Sequence, residues 1–222
     1  MASALLIDLD DTLIDDRGAM AAAVLLFRAK HGLCDEEQDH VVSARWDSVG
    51  RSLWARLSLG ELSFDEQRRQ RLRETFRLDV NAEEADRLFA DYLTFYEQSW
   101  QLFPETRYFL DSTAHLPRII LTNGHRPQAH KKLANLGLDA HFTHIVTPED
   151  CGTRKPDPKF FQHALDLLGL AAQDCVMIGD NLEADIEPAL ALGLKVFHVD
   201  ARQAGKSIRD AVSATQNDTP TH

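Results

Sequence analysis

Two carboxylates near the start of the chain have the type and spacing to bind a cation or to take part in acid–base chemistry. Asp8 and Asp10 follow an apolar run, and their side chains would point the same way if that strand continued. Carboxylates so close together are unfavourable unless a cation or a shared proton compensates them. Mg²⁺ fits such a site because it prefers a few carboxylates completed by water and phosphate oxygens. An acidic turn after an edge strand is the alternative interpretation.

Three later segments carry polar side chains that suit the same chemistry. Thr122 and Asn123 follow a second apolar run, Lys155 precedes a helix that starts with proline, and Asp180 and then Asp185 follow a third apolar run. Hydroxyl and backbone donors can hold phosphate oxygens, and a lysine can neutralise their charge. These segments make the acidic-turn alternative much weaker.

The apolar runs that precede these side chains are typical of buried strands, because each is short and bounded by Gly, Asn, Pro or Asp. The predicted strands are residues 5–9, 118–121, 144–146, 175–178 and 195–199. Between the later strands the pattern predicts helices over residues 127–136, 158–168 and 183–192. This alternation predicts an α/β fold with a parallel sheet and right-handed connections. Ligands bind such sheets beyond the carboxyl ends of the strands, where the polar segments fall.

A long segment between the first and second strands breaks the alternation and contains only helical patterns. Its predicted helices cover residues 18–31, 36–49, 51–57, 64–77 and 82–98. We therefore predict an α/β core domain from residues 1–14 and 101–213, with an all-helical domain of residues 15–100 inserted in it. Residues 214–222 are polar and without periodicity, which predicts a flexible tail.

Composition limits the partners that the protein can have. The 35 acidic and 24 basic side chains give a formal net charge of −11, which disfavours binding to nucleic acid polymers and to anionic membranes. The 3 cysteines lie far apart without a CxxC pair, as is typical of free thiols in a reducing cytosol. No apolar run near the start is long enough to cross a bilayer. We predict a cytoplasmic protein, with monomer and homodimer both left open.

The four polar segments, in this order and on these elements, resemble the four motifs of the haloacid dehalogenase (HAD) superfamily. The helical insert stands where that superfamily carries a helical cap. The resemblance implies a Rossmann-like core and a phosphatase that uses Mg²⁺ and an aspartyl-phosphate intermediate to hydrolyse a small phosphorylated metabolite. The founding dehalogenases of the superfamily lack the second aspartate. The presence of Asp10 therefore favours phosphoryl transfer, in which the leaving alkoxide needs a proton.

The resemblance also implies roles for the two aspartates after the first strand. Asp8 would be the nucleophile that accepts the phosphoryl group, and Asp10 would protonate the leaving alcohol and later deprotonate water. The magnesium ion would be held by Asp8, the backbone carbonyl of Asp10 and Asp180.

The remaining motif residues would support the phosphoryl group and the nucleophile. Thr122 and Asn123 would bind the phosphoryl group that is transferred. Lys155 would offset negative charge on the nucleophile and on the phosphoryl oxygens, which makes it both a catalytic and a phosphate-binding residue. Asp185 would orient Lys155 or a metal-bound water.

The substrate is less constrained, because in this superfamily the cap usually selects the leaving group. The insert most resembles that of the pyrimidine 5′-nucleotidase branch, which implies a nucleoside 5′-monophosphate as a candidate substrate. Arg51, Trp54 and His125 are the candidate substrate-selecting residues. The alternative is that Trp46 and Trp54 belong to the core of the insert and that His125 is an ordinary loop residue.

Two other functions share these core motifs. A sugar phosphomutase would pass the phosphoryl group from the aspartate to a sugar hydroxyl instead of water. A catalytically silent binding protein would be expected to have lost a motif carboxylate or the lysine, and here all are present. The motifs do not separate phosphatase from phosphomutase, and they do not fix the physiological substrate.

Overall fold

The computed structural model describes residues 2–33, 37–200, 203 and 205–216. The chain divides into two compact units, one formed by Met1–Asp16 with Gln101–His222 and the other by Arg17–Trp100. Cys34 lies outside the described residues, whereas Cys151 and Cys175 are free thiols. No described helix combines the length and the apolar character that crossing a bilayer requires.

The α/β unit is organised around a parallel sheet, as predicted. Within the described residues the sheet has five strands in the order β3-β2-β1-β4-β5. The strands are β1 Ala4–Ile7, β2 Arg118–Leu121, β3 His144–Val146, β4 Cys175–Gly179 and β5 Lys195–His198. All neighbouring pairs are parallel, with Leu6 of β1 opposite Ile119 of β2 and Met177 of β4. The central position of β1 places the residues that follow it at the middle of one sheet edge.

Alternate residues of β1 enter two different apolar clusters. Leu5 and Ile7 pack with helix residues such as Leu133 on one face of the sheet. Ala4 and Leu6 pack with Phe160 and other residues on the opposite face. A strand covered on both faces must be apolar at every position, which explains why the predicted strands were continuous apolar runs.

The second unit, Arg17–Trp100, is all-helical within its described residues. Its helices are α1 Asp16–His31, α2 Asp39–Ser58, α3 Phe64–Phe76 and α4 Ala82–Gln98, the first of which begins at the last residue of the other unit. The indole of Trp46 is buried and lies 4.3 Å from the ring centroid of Tyr92 and 5.9 Å from that of Phe76. Trp46 is therefore a core residue of this unit.

Helix α2 corrects the prediction of separate helices over residues 36–49 and 51–57, because one helix continues through Gly50. Residue 36 lies outside the described residues. A Cβ atom at Gly50 would lie 2.6 Å from the guanidinium carbon of Arg71. That guanidinium lies 4.3 Å from the ring centroid of Trp46. Gly50 is thus a point of close approach between α2 and α3 and not a helix end.

The helices of the α/β unit follow the strands in alternation. They are α5 Thr106–Ser112, α6 Arg126–Leu136, α7 Pro148–Cys151, α8 Pro158–Leu168, α9 Glu187–Ala191 and α10 Ala211–Gln216. The helix predicted over residues 183–192 begins instead with a π-helical turn, Leu182–Ile186, before α9. Gly137 and Gly169 end α6 and α8 with φ angles of 68° and 65°, the left-handed conformation that glycine adopts readily.

The predicted flexible tail of residues 214–222 is wrong at its start. Residues 214–216 belong to α10, and Thr215 is buried. The carbonyl oxygen of Thr215 accepts a hydrogen bond from the backbone N–H of Ala2 at 3.0 Å. The end of the chain lacks the hydrophobic periodicity of a long helix, but one short helix is held by backbone contacts that the pattern does not encode. Residues 217–222 lie outside the described residues.

Candidate active site

Asp8 lies immediately after β1 and is held in place from several sides. Its backbone N–H donates to the carbonyl of Ile178 in the neighbouring strand β4, at 2.8 Å. One carboxylate oxygen accepts from the Thr12 hydroxyl at 3.0 Å, and the other accepts from the Lys155 ammonium at 2.6 Å. The side chain is only 9% exposed. These donors fix the orientation of a buried carboxylate at the carboxyl end of the central strand.

Lys155 is positioned by its main chain as well as by its side chain. The side-chain amide of Asn123 donates to the Lys155 carbonyl and accepts from the Lys155 N–H, both at 2.9 Å. The ammonium donates to Asp8 and to Asp185, both at 2.6 Å. Asn123 was predicted to bind phosphate, but both polar atoms of its side chain contact Lys155. The Asn123 side chain thus positions the lysine, and its contact with phosphate stays a prediction.

Asp8, Asp180 and Asp185 form an acidic cluster in which one ligand atom from each residue lies within 4.8 Å of the others. Asp185 is fixed by a hydrogen bond from the Asn181 N–H at 3.1 Å, in addition to its contact with Lys155. The carbonyl of Asp180 lies 2.9 Å from His198 Nε2, a β5 residue that the sequence did not single out. Among the described residues this cluster is the group with the spacing of a metal site.

The charges of the cluster favour a bound divalent cation. Asp8 and Asp185 share the Lys155 ammonium, so these two buried carboxylates together carry more charge than the lysine when all three groups are ionised. Burial raises the pKa of Asp8 well above its usual value, and the charges of Asp185 and Asp180 raise it further while Lys155 opposes the rise. Burial lowers the pKa of Lys155, but the two carboxylates beside it raise the pKa by more, so the ammonium stays charged. An oxygen-rich, negatively charged site of this kind fits Mg²⁺.

The carboxylate of Asp10 contacts a second lysine, Lys132, which the sequence did not single out. Lys132 of α6 is buried, and its ammonium lies 2.5 Å from Asp10 Oδ1 and 2.7 Å from Asp16 Oδ1. The carboxylate of Asp10 therefore lies outside the acidic cluster, and the predicted metal contact through its backbone carbonyl stays a prediction. A lysine between the buried Ala129 and Leu133 is the signal that could have identified Lys132, because lysines are almost never buried without a partner.

A family model for haloacid dehalogenase-like hydrolases matches residues 2–193. The chain belongs to this family. The phosphoserine phosphatase of Thermus thermophilus is 31% identical to this HAD-like hydrolase over an alignment that covers 88% of each chain. The prediction of a HAD-superfamily enzyme of the hydrolase class is therefore confirmed.

Solved structures of two proteins share the fold of this HAD-like hydrolase. The magnesium-bound HAD-hydrolase YfnB from Bacillus subtilis has a TM-score of 0.74 at 26% identity, with 89% of this chain and 86% of that chain covered. The L-2-haloacid dehalogenase of Xanthobacter autotrophicus has a TM-score of 0.71 at 22% identity, with 90% and 78% covered, which supports the fold alone. The resemblance to the pyrimidine 5′-nucleotidase branch stays a prediction.

Thr122 and Gly124 form the turn that follows β2 in this HAD-like hydrolase. The Thr122 hydroxyl accepts from the Gly124 N–H at 2.9 Å. A Cβ atom at Gly124 would lie 3.6 Å from Asp10 Oδ2, so the turn passes close to that carboxylate. The geometry thus brings Thr122 into the neighbourhood of the aspartates, as its predicted phosphate-binding role requires.

The candidate substrate-selecting residues are more dispersed. His125 is half-buried and lies 3.8 Å from Glu149, which it faces across the turn before α6. Arg51 is exposed on α2 and pairs with Asp47 one turn earlier, and Trp54 is half-buried on the same helix. Arg51 and Trp54 belong to the helical unit, and their contact with a substrate stays a prediction.

Gly179, the last residue of β4, offers a stability test of the acidic cluster. A Cβ atom there would lie 2.4 Å from Asp185 Oδ2 and 2.6 Å from Asp185 Cγ. We expect Gly179→Ala to displace Asp185 and to lower the free energy of unfolding by about 1–3 kcal/mol, as overpacking typically does. Urea unfolding of the single variants and of the double variant with Asp185→Gly measures this effect, because the Asp185 Cβ would also lie 2.7 Å from the added Cβ and must be removed with the carboxylate. If Gly179→Ala costs as much without the Asp185 carboxylate as with it, the overlap is not the cause.

Proposed function

We propose that this HAD-like hydrolase releases inorganic phosphate from a small phosphorylated metabolite, with Mg²⁺ and an aspartyl-phosphate on Asp8. The observation that carries the proposal is the Asp8 carboxylate, held between Thr12 and Lys155 at the end of β1. Asp10 lies two residues away on the same turn. The phosphoserine phosphatase relative and the magnesium-bound YfnB support the same reaction class.

The first step transfers the phosphoryl group to the protein. An Asp8 carboxylate oxygen attacks phosphorus, the bond from phosphorus to the ester oxygen breaks, and Asp10 gives its proton to the departing alkoxide. Lys155 reduces the repulsion between the carboxylate and the phosphoryl oxygens. When bound at Asp8 and Asp180, with the Asp10 carbonyl, Mg²⁺ would neutralise charge that accumulates on those oxygens.

The second step returns the protein to its starting state. Asp10, now ionised, takes a proton from a water molecule whose oxygen attacks phosphorus. The bond between phosphorus and the Asp8 oxygen breaks, inorganic phosphate leaves, and Asp10 is again protonated. Asp10 thus works as an acid and then as a base within one turnover, which requires that its carboxylate be accurately placed in both steps.

The substrate class follows from what the site can neutralise. The buried carboxylates of Asp8 and Asp185 carry more charge than Lys155 and would repel a phosphate ester, and a divalent cation at the acidic cluster would reverse that effect. We therefore expect substrate binding to depend strongly on Mg²⁺. A nucleoside 5′-monophosphate is one candidate substrate, and the similarity to the phosphoserine phosphatase of Thermus thermophilus adds phosphoserine as another.

We also propose a cytoplasmic location, which the free thiols Cys151 and Cys175 support.

A panel of phosphate esters tests the proposed function. The purified full chain is incubated with nucleoside 5′-monophosphates, phosphoserine, sugar phosphates and 4-nitrophenyl phosphate, with Mg²⁺ or with a chelator. We expect phosphate release that needs Mg²⁺, and a borohydride-reducible aspartyl-phosphate at Asp8 in peptide mass spectra. Absence of release from every ester would contradict the proposal, and an isomerised sugar phosphate without release would identify a phosphomutase instead.

A further inference from the structure

The contacts of Lys132 point to a role that neither the family motifs nor the comparisons assign. We propose that Lys132 is a positioning residue that holds Asp10 in place for proton transfer. This inference rests on the proposed function, because it assumes that Asp10 is the acid and base of phosphate ester hydrolysis. It adds a residue of α6 to the site.

Lys132 is buried, so its ammonium needs the carboxylates that it contacts in place of water. The Lys132 side chain is 3% exposed, and Asp16 on its far side is 11% exposed. An ammonium removed from water to this extent is unfavourable unless charged partners replace the lost hydration. Asp10 and Asp16, at 2.5 and 2.7 Å, are such partners. Separating the ammonium from these carboxylates is therefore energetically unfavourable.

The backbone that carries Lys132 is packed in the core of the α/β unit. Helix α6 has a proline in its first turn and ends at Gly137 in the left-handed conformation. Its residues Ala129 and Leu133, on either side of Lys132, pack in the same apolar cluster as Leu9 and Leu13 of the Asp10 turn. Because α6 and this turn share one packed cluster, the distance from the lysine backbone to Asp10 is fixed.

The contact also fixes which oxygen of Asp10 is available. Lys132 binds Oδ1, whereas Oδ2 is the oxygen nearest to the turn at Gly124. The Asp10 side chain is 31% exposed, much more than Lys132 or Asp16. The lysine thus binds Oδ1, which leaves Oδ2 to give a proton to a ligand or to take one from it. Asp8 and Asp10 are held by different lysines, Lys155 and Lys132.

A purely structural role predicts a different pattern of effects. If Lys132 only neutralised Asp16 and stabilised the turn, its loss would slow all phosphate esters to a similar extent. If Lys132 positions Asp10, its loss would matter most for esters whose leaving group needs a proton. The leaving group of 4-nitrophenyl phosphate departs easily as a stable phenolate, whereas that of phenyl phosphate depends more on proton donation.

The first experiment compares kcat/KM for phenyl and 4-nitrophenyl phosphate in the wild type and in Lys132→Met, with Mg²⁺ present. The parameter kcat/KM reports the steps up to departure of the alcohol. We expect a fall of about 10- to 100-fold for phenyl phosphate and of less than about 3-fold for 4-nitrophenyl phosphate, within the usual range of acid–base effects. Lys131→Met, at the adjacent exposed lysine, is the matched control and should change neither value. Equal falls for both esters would overturn the proposal.

A second set of variants separates positioning from loss of folding. In the Asp10→Asn background, Lys132→Met should lower kcat/KM little further, because the group it acts through is already gone. A multiplicative effect of the two substitutions would refute action through Asp10. Asp16→Asn retains the buried lysine but removes the charge of one carboxylate that the lysine contacts. This variant should also lower kcat/KM more for phenyl phosphate than for 4-nitrophenyl phosphate.

A structural readout keeps this inference distinct from the proposed function. Crystal structures of the wild type and Lys132→Met, each with Mg²⁺, show whether the Asp10 carboxylate leaves its place. If the wild type releases no phosphate from any ester, the proposed function fails, and the position of Asp10 still decides whether Lys132 holds it. An Asp10 carboxylate unmoved in Lys132→Met would overturn the positioning role even in a fully active enzyme.

Discussion

Replacing Asp8 by asparagine is expected to lower phosphate release by about 10⁴-fold or more, without lowering the stability of the protein. The activity falls because an amide is not a nucleophile and no aspartyl-phosphate forms. The fold is kept because the asparagine oxygen can still accept from Lys155 and the asparagine amide can donate to the Thr12 hydroxyl. Removing one of the clustered negative charges also relieves repulsion with Asp180 and Asp185.

Activity and unfolding of Asp8→Asn must be measured side by side. Phosphate release is followed with Mg²⁺, and urea unfolding is followed with a chelator so that metal binding does not add to the stability of the wild type. Asp139→Asn is the matched control, since Asp139 is an exposed aspartate outside the site, and it should leave both properties unchanged. Wild-type turnover in Asp8→Asn would exclude Asp8 as the nucleophile.

Replacing Lys155 by methionine is expected to remove both activity and stability. The ammonium is 3% exposed and contacts Asp8 and Asp185, which are 9% and 1% exposed. Without it, buried carboxylates face each other with no cation, and breaking such a buried pair typically costs about 3–5 kcal/mol of unfolding free energy. Phosphate release should fall by about 10³-fold, as removal of a central electrostatic group does.

The two variants are expected to differ in stability, because Asp8→Asn keeps the free energy of unfolding and Lys155→Met lowers it. Urea unfolding of Lys155→Met in the presence of a chelator gives the loss directly. Lys159→Met, at an exposed lysine four residues further along the chain, is the control and should be close to neutral. If Lys155→Met unfolded at the wild-type urea concentration, the lysine would not be compensating the buried carboxylates.

The parts of the fold that the sequence predicted well are those whose signals are local. The strands of the α/β unit are apolar at every position because they are buried on both faces, and four of them were located to within one residue at each end. Gly50 shows where the local signal misled. A glycine inside a helical pattern suggests a boundary, but here it admits the Arg71 guanidinium from a distant part of the chain.

The candidate site likewise contains residues that local sequence patterns predicted and contacts that they did not. Asp8, Asp180 and Asp185 were predicted from their positions after apolar strands. Lys155 was predicted from its position before a helix that starts with proline, and the structure brings the four side chains together. Lys132 was missed because its position beside Ala129 and Leu133 indicates burial but does not specify a contact with Asp10, 122 positions earlier. The bonds between the Asn123 amide and the Lys155 main chain likewise depend on how two turns approach each other, which no local pattern contains.

Lys132 contacts both Asp10 and Asp16, and these contacts limit where the helical unit can be replaced by another insert. Asp16 is the first residue of α1, yet its carboxylate is bound by a lysine of the α/β unit. A graft that joined a foreign helical insert after residue 14 would discard Asp16 and remove one of the carboxylates that Lys132 contacts. A junction after Asp16 keeps the pair intact. The modular boundary of this enzyme therefore lies inside the first turn of a helix, and grafts of new specificity should begin at Arg17.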